Sequence, residues 1–172
     1  MKSNTADSIK KRSKSNDVFY TPITLVRQHY NIISEYISAN DLILDPFFGS
    51  GNYYNTAMEM FPNNTHKYTE IAMGLDFFDY AEKTDIIISN PPYSILDKVL
   101  KKSIELKPHT ISYLIGMHNL TAKRIELMNN AGYYLAKISM MKVWEWFGMS
   151  FIVVFTNKVK KNCMDFDRTV YR

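Results

Sequence analysis

The chain has 172 residues, 46% of them hydrophobic, 22% charged and 14% aromatic, with one Cys, six Gly and six Pro. This is the make-up of one soluble globular domain rather than a disordered or disulfide-stapled chain. A second domain needs roughly another 100 residues, so any recognition module has to be compressed into loops or left to a partner. The formal charge of +4 is divided unevenly: residues 1–16 carry Lys2, Lys10, Lys11, Arg12 and Lys14 against Asp7, and residues 157–172 carry Lys158, Lys160, Lys161, Arg168 and Arg172 against Asp165 and Asp167, so the stretch between them is net acidic. Short Lys-rich ends read either as phosphate-binding arms or as solvated tails.

Cys163 is alone, which points to a reducing, intracellular setting. His29, His66, His109 and His118 are scattered without the spacing of a zinc or di-metal site, so no metal is predicted. No apolar run approaches the ~18 residues that cross a bilayer, and the polar N-terminus lacks a signal-peptide core.

The apolar pattern begins near Val18, Phe19 and Tyr20. Leu25, Val26, Tyr30, Ile33, Tyr36 and Ile37 recur at helical spacing, with Thr21 as N-cap and Pro22 at the first helical position. Leu42 to Leu44 predicts a strand ending at Asp45, followed by a Gly-rich turn and a helix from Asn52 to Met60. A short strand over His66 to Thr69 ends at Glu70, and Asp85 to Ser89, with three consecutive Ile, suits a buried parallel strand. A helix from Ile95 to Leu106, a strand from Thr110 to Ile115 and a helix from Leu120 to Asn130 follow. Tyr133 to Val143 and Ser150 to Thr156 then form an antiparallel pair. The predicted architecture is α/β: a doubly wound, mostly parallel sheet with a C-terminal antiparallel hairpin.

Two segments carry chemistry. Asp45-Pro46-Phe47-Phe48-Gly49-Ser50-Gly51-Asn52 sits at a strand end, where open α/β sheets bind ligands, and its glycines let backbone amides approach a nucleotide-like molecule. The third Gly of the dinucleotide fingerprint is missing, with Tyr54 in its place, and so is the Gly-Lys-Ser/Thr of a phosphate loop. A plain structural turn remains the other reading. Ser89-Asn90-Pro91-Pro92-Tyr93 follows a buried strand. There the Asn90 side-chain oxygen and the Pro91 carbonyl can accept hydrogen bonds from one planar amino group while the Tyr93 ring stacks on the system that bears it.

With those motifs in order, and with Phe19-Tyr20-Thr21-Pro22 ahead of them, the sequence from 17 to 156 resembles the S-adenosylmethionine-dependent methyltransferases of exocyclic amino groups, most closely the adenine-N6 DNA methyltransferases. The resemblance implies a Rossmann-like class I domain over residues 17–156, flanked by a basic arm (1–16) and a basic tail (157–172). It implies that Tyr20, Thr21 and Pro22 border the methionine end of the cofactor, that Asp45, Pro46, Phe47, Gly49 and Gly51 cradle it with Asn90 alongside, and that Glu70 takes the ribose. Asp76 with Phe77 then contacts the cofactor's adenine, unless Gly74-Leu75-Asp76 is the second-strand end and Asp76 the ribose ligand.

The implied reaction is in-line transfer of the sulfonium methyl to an amino nitrogen held by Asn90, Pro91, Pro92 and Tyr93, with no covalent nucleophile. Asn rather than Ser at position 90 favours adenine over cytosine, and DNA is the implied partner, extruded from the stack or single-stranded. The chain lacks the separate target-recognition region such enzymes usually carry. That leaves Met117 to Arg124 (with His118, Asn119, Lys123 and Arg124), the loop after Tyr93, Trp144-Glu145-Trp146-Phe147, the basic ends, or a separate specificity subunit. RNA adenine, a protein glutamine amide, and a non-catalytic nucleic-acid-binding role are the competing readings.

Overall fold

The computed structural model describes residues 20–142 and 149–169. The elements are α1 (Ile23–Ile33), β1 (Leu42–Asp45), α2 (Asn52–Met60), β2 (Thr65–Tyr68), β3 (Ile86–Ser89), α3 (Leu96–Glu105), β4 (Thr110–Gly116), α4 (Ala122–Asn130), β5 (Tyr134–Met141) and β6 (Ser150–Thr156). They build one six-stranded sheet in the order β2-β1-β3-β4-β6-β5. The first four strands run parallel, and β6 inserts antiparallel between β4 and β5. Each element predicted from periodicity is present with its ends shifted by a few residues.

Period-two alternation in β3 explains how helices cover both faces. Ile86 and Ile88 are fully buried with Leu25, Val26, Tyr30 and Ile33 of α1 and Tyr53 and Ala57 of α2. Ile87 points the other way, into a cluster with Leu96, Val99 and Leu100 of α3 and Ile125 and Met128 of α4. The chain passes from β1 outward to β2 and then returns to β3 on the other side of β1. This makes the carboxyl ends of β1 and β3 the topological switch point, where a crevice opens.

Thr21 does not cap α1. The residue at the N-cap position is Pro22, without a side-chain cap bond, and its carbonyl accepts from the N–H groups of Leu25 and Val26 at 3.0 and 3.1 Å. Pro22 therefore precedes the helix instead of opening it. Thr21 is instead buried and hydrogen-bonded to the Tyr53 phenol, because the side chain faces the crevice rather than the helix axis.

One buried polar group ties the first layer to the sheet. His29 is wholly inaccessible; its Nδ1 lies 2.9 Å from the Tyr53 hydroxyl and its Nε2 2.7 Å from Ser112 Oγ. Burial lowers its pKa to about 3, so the folded chain holds it neutral while an unfolded chain protonates it below about pH 6.5. Its contribution is whole above that pH and is lost as pH falls from 6.5 towards 3. His29→Leu removes both bonds, leaving Ser112 Oγ its bond to the Val153 carbonyl at 3.0 Å and Tyr53 its bond to Thr21, and is predicted to cost about 1–3 kcal/mol at pH 7.5. Urea titrations should show the gap to the parent narrowing as pH falls to 4; a gap independent of pH would contradict this role.

Candidate functional site

The Gly-rich turn after β1 is shaped by contacts with the end of β2. Thr69, which is buried, donates its N–H to the Asp45 carbonyl at 3.0 Å and its hydroxyl to the Pro46 carbonyl at 2.7 Å, and its own carbonyl accepts from Phe48 N–H at 3.1 Å. The turn closes through Gly51 N–H to the Phe48 carbonyl at 2.7 Å. Gly51 has φ +78, and a Cβ there would lie 2.7 Å from the Phe48 ring, so both backbone and space demand glycine. The turn leads directly into α2.

Glu70 is brought to the same turn. One carboxylate oxygen accepts from Gly49 N–H at 2.9 Å and the other from Ala72 N–H at 3.1 Å. Strand β2 ends at Tyr68, while residues 74–76 belong to the return of a short bridge between Glu70 and Leu75. Glu70, not Asp76, is thus the acidic residue at the carboxyl end of β2.

Asp45 is 2% exposed. Its Oδ1 accepts from Ser89 Oγ at 2.7 Å and from Phe47 N–H at 3.2 Å, while Oδ2 is buried without a hydrogen-bond partner. Burial, aided by the nearby charge of Glu70, raises its pKa to about 7 against the pull of hydrogen bonds from Ser89 and from the Phe47 and Tyr54 backbone. The Asp45–Ser89 bond joins the end of β1 to the residue preceding Asn90.

At the switch point a small cleft of about 30 Å³ is lined by Tyr20, Thr21, Phe47, Gly49, Tyr53 and Asn90, among others. Three segments far apart in sequence meet there. The Tyr20 ring lies 3.4 Å from where a Gly49 Cβ would be, and Asn52 Nδ2 donates to the Thr21 carbonyl at 2.8 Å. Pro46 and Pro91 are buried behind the cleft, and Pro92 and Tyr93 are half-buried at the start of the turn that leads into α3.

Asp76 and Phe77 are placed differently. Asp76 accepts from Phe78 N–H at 2.9 Å and lines a second cavity of about 450 Å³ along the free edge of β2, with Tyr54, Tyr68 and Tyr80. Phe77 is a core residue, 3% exposed, with its ring edge-on to Phe47 at 5.5 Å. Phe19, the basic residues of 1–16, Trp144 to Phe147 and Arg172 lie outside the described residues. Among the described residues no group of three His, Cys, Asp or Glu side chains has metal-site geometry, and no helix is long and apolar enough to cross a membrane.

Sequence reasoning missed Thr69, Tyr53 and the pairing role of Ser89. Ser89 stood in the motif, but its partner 44 residues away is visible only once β1 and β3 are adjacent.

No family model and no curated protein sequence matches the chain. Solved structures do. A modification subunit described as part of a type I restriction enzyme from Vibrio vulnificus aligns at 13% identity and TM-score 0.60 over 91% of this chain and 49% of that one, so this chain spans about half its length. M. jannaschii TYW2 in complex with AdoMet aligns at 17% identity and TM-score 0.51, over 86% of this chain and 78% of that one. The E. cuniculi Mtq2–Trm112 complex, responsible for methylation of the eRF1 translation termination factor, aligns at 13% identity and TM-score 0.55, over 82% and 98%. The fold is the Rossmann-like methyltransferase fold.

The raised pKa of Asp45 means that the folded chain keeps a proton that the unfolded chain releases above about pH 4. Its contribution to stability is therefore present at low pH and lost as pH rises from about 4 through 7. Asp45→Asn retains an acceptor for Ser89 and Phe47 and removes the charge. Relative to the parent it is predicted to gain about 1.4 kcal/mol for each pH unit separating the two values, levelling above pH 8. Denaturant titrations at pH 4, 6 and 8 check this, and a difference that does not grow with pH would refute it.

Proposed function

We propose that this chain is an S-adenosylmethionine-dependent methyltransferase that methylates the exocyclic N6 amino group of adenine in DNA. The observation that carries the reading is the meeting of Tyr20-Thr21, the Phe47 to Asn52 turn and Asn90 at the β1/β3 switch point. These are the three segments that resemble the family's motifs: the pairing of β1 with β3 brings the turn to Asn90, and the Asn52 bond to the Thr21 carbonyl adds Tyr20-Thr21.

The residues fit the cofactor. Gly49 keeps the turn's backbone open to the cleft, since a Cβ there would lie 3.4 Å from the Tyr20 ring. Glu70, bonded to Gly49 N–H at the end of β2, is the residue we assign to the ribose hydroxyls. Asp45 has an unsatisfied buried oxygen and lies close enough to Tyr53, a cleft residue, to raise the pKa of that phenol. It is suited to the cofactor's α-ammonium, whose charge would favour the ionised carboxylate. When bound, the cofactor supplies an electrophilic methyl group.

The chain's own contribution is alignment. Asn90 and the Pro91 carbonyl accept from the target amino group and hold its lone pair towards the methyl, and the Tyr93 ring offers a stacking face that offsets part of the few kcal/mol needed to unstack a base. Neither proline carries an N–H, so residues 91 and 92 set no backbone donor against the hydrogens of the target amino group.

The acceptor is tested by incubating the protein with cofactor labelled in its methyl group and separate DNA, RNA and protein acceptors. Label in N6-methyladenine of DNA is the predicted result; label in RNA alone or in protein glutamine alone moves the substrate to that class. Asn90→Ala should lower transfer at least 100-fold while changing cofactor affinity less than about threefold. Equal loss of both would place Asn90 in cofactor binding rather than in acceptor alignment.

Phosphate attraction falls to the chain's basic ends, since the stretch between them is net acidic. Deleting residues 1–14 is predicted to weaken DNA binding and flatten its salt dependence, with cofactor affinity unchanged. Salt titrations of binding to a fluorescent oligonucleotide measure this, and an unchanged slope would return those lysines to a solvated tail.

A further inference from the structure

The segment from Met117 to Arg124, one of the stretches left for target recognition, is held against the acceptor side of the site. Strand β4 lies beside β3, with Tyr113 opposite Ser89, and ends at Gly116. The following 3-10 turn, Met117–Asn119, therefore stands on the same carboxyl rim as Asn90 and Tyr93. A Cβ on Gly116 would lie 3.3 Å from Asn119 Nδ2 and 3.5 Å from the Tyr93 ring. Gly116 has φ −62, an ordinary value, so what matters here is the absent side chain, which leaves room where the Asn119 amide and the Tyr93 ring converge.

The direction of that amide is fixed by chemistry. Arg124 Nη1 donates to the Asn119 carbonyl at 2.8 Å and to Asn119 Oδ1 at 3.1 Å. An arginine only donates, so the side-chain atom facing it has to be the oxygen and the NH2 has to face the other way, towards Gly116 and Tyr93. Arg124 is itself anchored, its Nε donating to Asp97 Oδ1 at 2.6 Å, and Asp97 stands in the first turn of α3, just after the Tyr93–Ile95 turn. One guanidinium thus ties the segment that presents Tyr93 to the segment that presents Asn119.

We propose that the Asn119 side-chain NH2 donates a hydrogen bond to the acceptor atom next to the methylated amino group, so that the site selects amino groups flanked by such an acceptor. This rests on the methyltransferase reading above and adds the feature by which the acceptor is chosen. Asn90 and Pro91 accept and Asn119 donates, which together complement a donor beside an acceptor. Adenine presents N6–H2 beside N1, cytosine N4–H2 beside N3, and a carboxamide its NH2 beside its oxygen; an isolated lysine amine presents no such pair. In a duplex the adenine N1 is occupied by its pairing partner, so an Asn119 that reads it requires an unpaired or extruded base. Arg124 acts here as a positioning residue.

The test compares kcat/KM on oligonucleotides whose single target is adenine or 1-deazaadenine, in which N1 is replaced by C–H. The ratio is taken within each protein, so a variant that folds incompletely still gives a valid answer. The parent is predicted to prefer adenine by about tenfold or more. Asn119→Asp keeps an oxygen for Arg124 and loses the donor, and Asn119→Ala loses both; each should bring the preference to within about twofold. Arg124→Leu, which frees the amide to rotate, should reduce it partway while leaving Asn119 in place. Variants that keep the parent's ratio, or a parent that uses both bases equally, would overturn the role of Asn119 while leaving the adenine reading intact. A parent inert on every adenine oligonucleotide would instead overturn the adenine reading and this inference with it.

Discussion

The hydrogen bond from Ser89 Oγ to Asp45 Oδ1, at 2.7 Å and out of contact with water, is the contact on which the rest of the site depends. It joins the last residues of two parallel strands at the point where the chain's winding reverses, with the Gly-rich turn beginning one residue after the first and Asn90 one residue after the second. A buried carboxyl group is costly unless it is neutral or paired. Here it is half-satisfied, with one oxygen bonded and the other not. Its pKa rises to about 7 because burial outweighs the hydrogen bonds from Ser89, Phe47 and Tyr54. Such a group is a poor choice for stability alone and a reasonable one where a cation is to be received.

The surrounding structure holds that pair in place. Thr69 pins the turn to β2 through three hydrogen bonds, Glu70 takes the Gly49 N–H, and Asn52 fastens the segment ahead of α1 by its bond to the Thr21 carbonyl. On the other side, Arg124 links the start of α3 to the turn after β4. The crevice is thus bordered by loops whose backbone is bonded to neighbouring strands, which suits a reaction governed by alignment. The wider rim is less polar: Tyr20, Met117 and Met149 are exposed there or close by, with the Met117 N–H bonded to the Met149 carbonyl at 3.1 Å.

Much of this was legible in the sequence, for identifiable reasons. Three consecutive isoleucines ahead of Asn90 suit a strand covered on both faces, and the apolar run Leu42 to Leu44 ahead of the Gly-x-Gly turn suits a strand end; together they point to β1, β3 and the cleft between them. What stayed hidden depends on contacts distant in sequence. The side chain of Thr21 looked like a helix cap because Pro22 follows it, but Tyr53, brought near by the packing of α2 on α1, draws the hydroxyl elsewhere. Phe77 looked like a ligand-facing aromatic from its place after Asp76, whereas Phe47 across the layer buries it. Thr69 gave no signal at all, since its three bonds exist only after β2 pairs with β1. His29 was one of four scattered histidines until Tyr53 and Ser112 closed around it.

If Asp45 receives the cofactor's ammonium, as proposed, the proton that its buried carboxyl keeps near pH 6 leaves on binding. Calorimetry of S-adenosylhomocysteine binding at pH 6, repeated in buffers of different ionisation enthalpy, measures the protons exchanged. The account predicts release of close to one proton per molecule bound at pH 6, falling away above pH 8 and absent in Asp45→Asn. Tight binding with no proton release at pH 6, or the same release from Asp45→Asn, would contradict it.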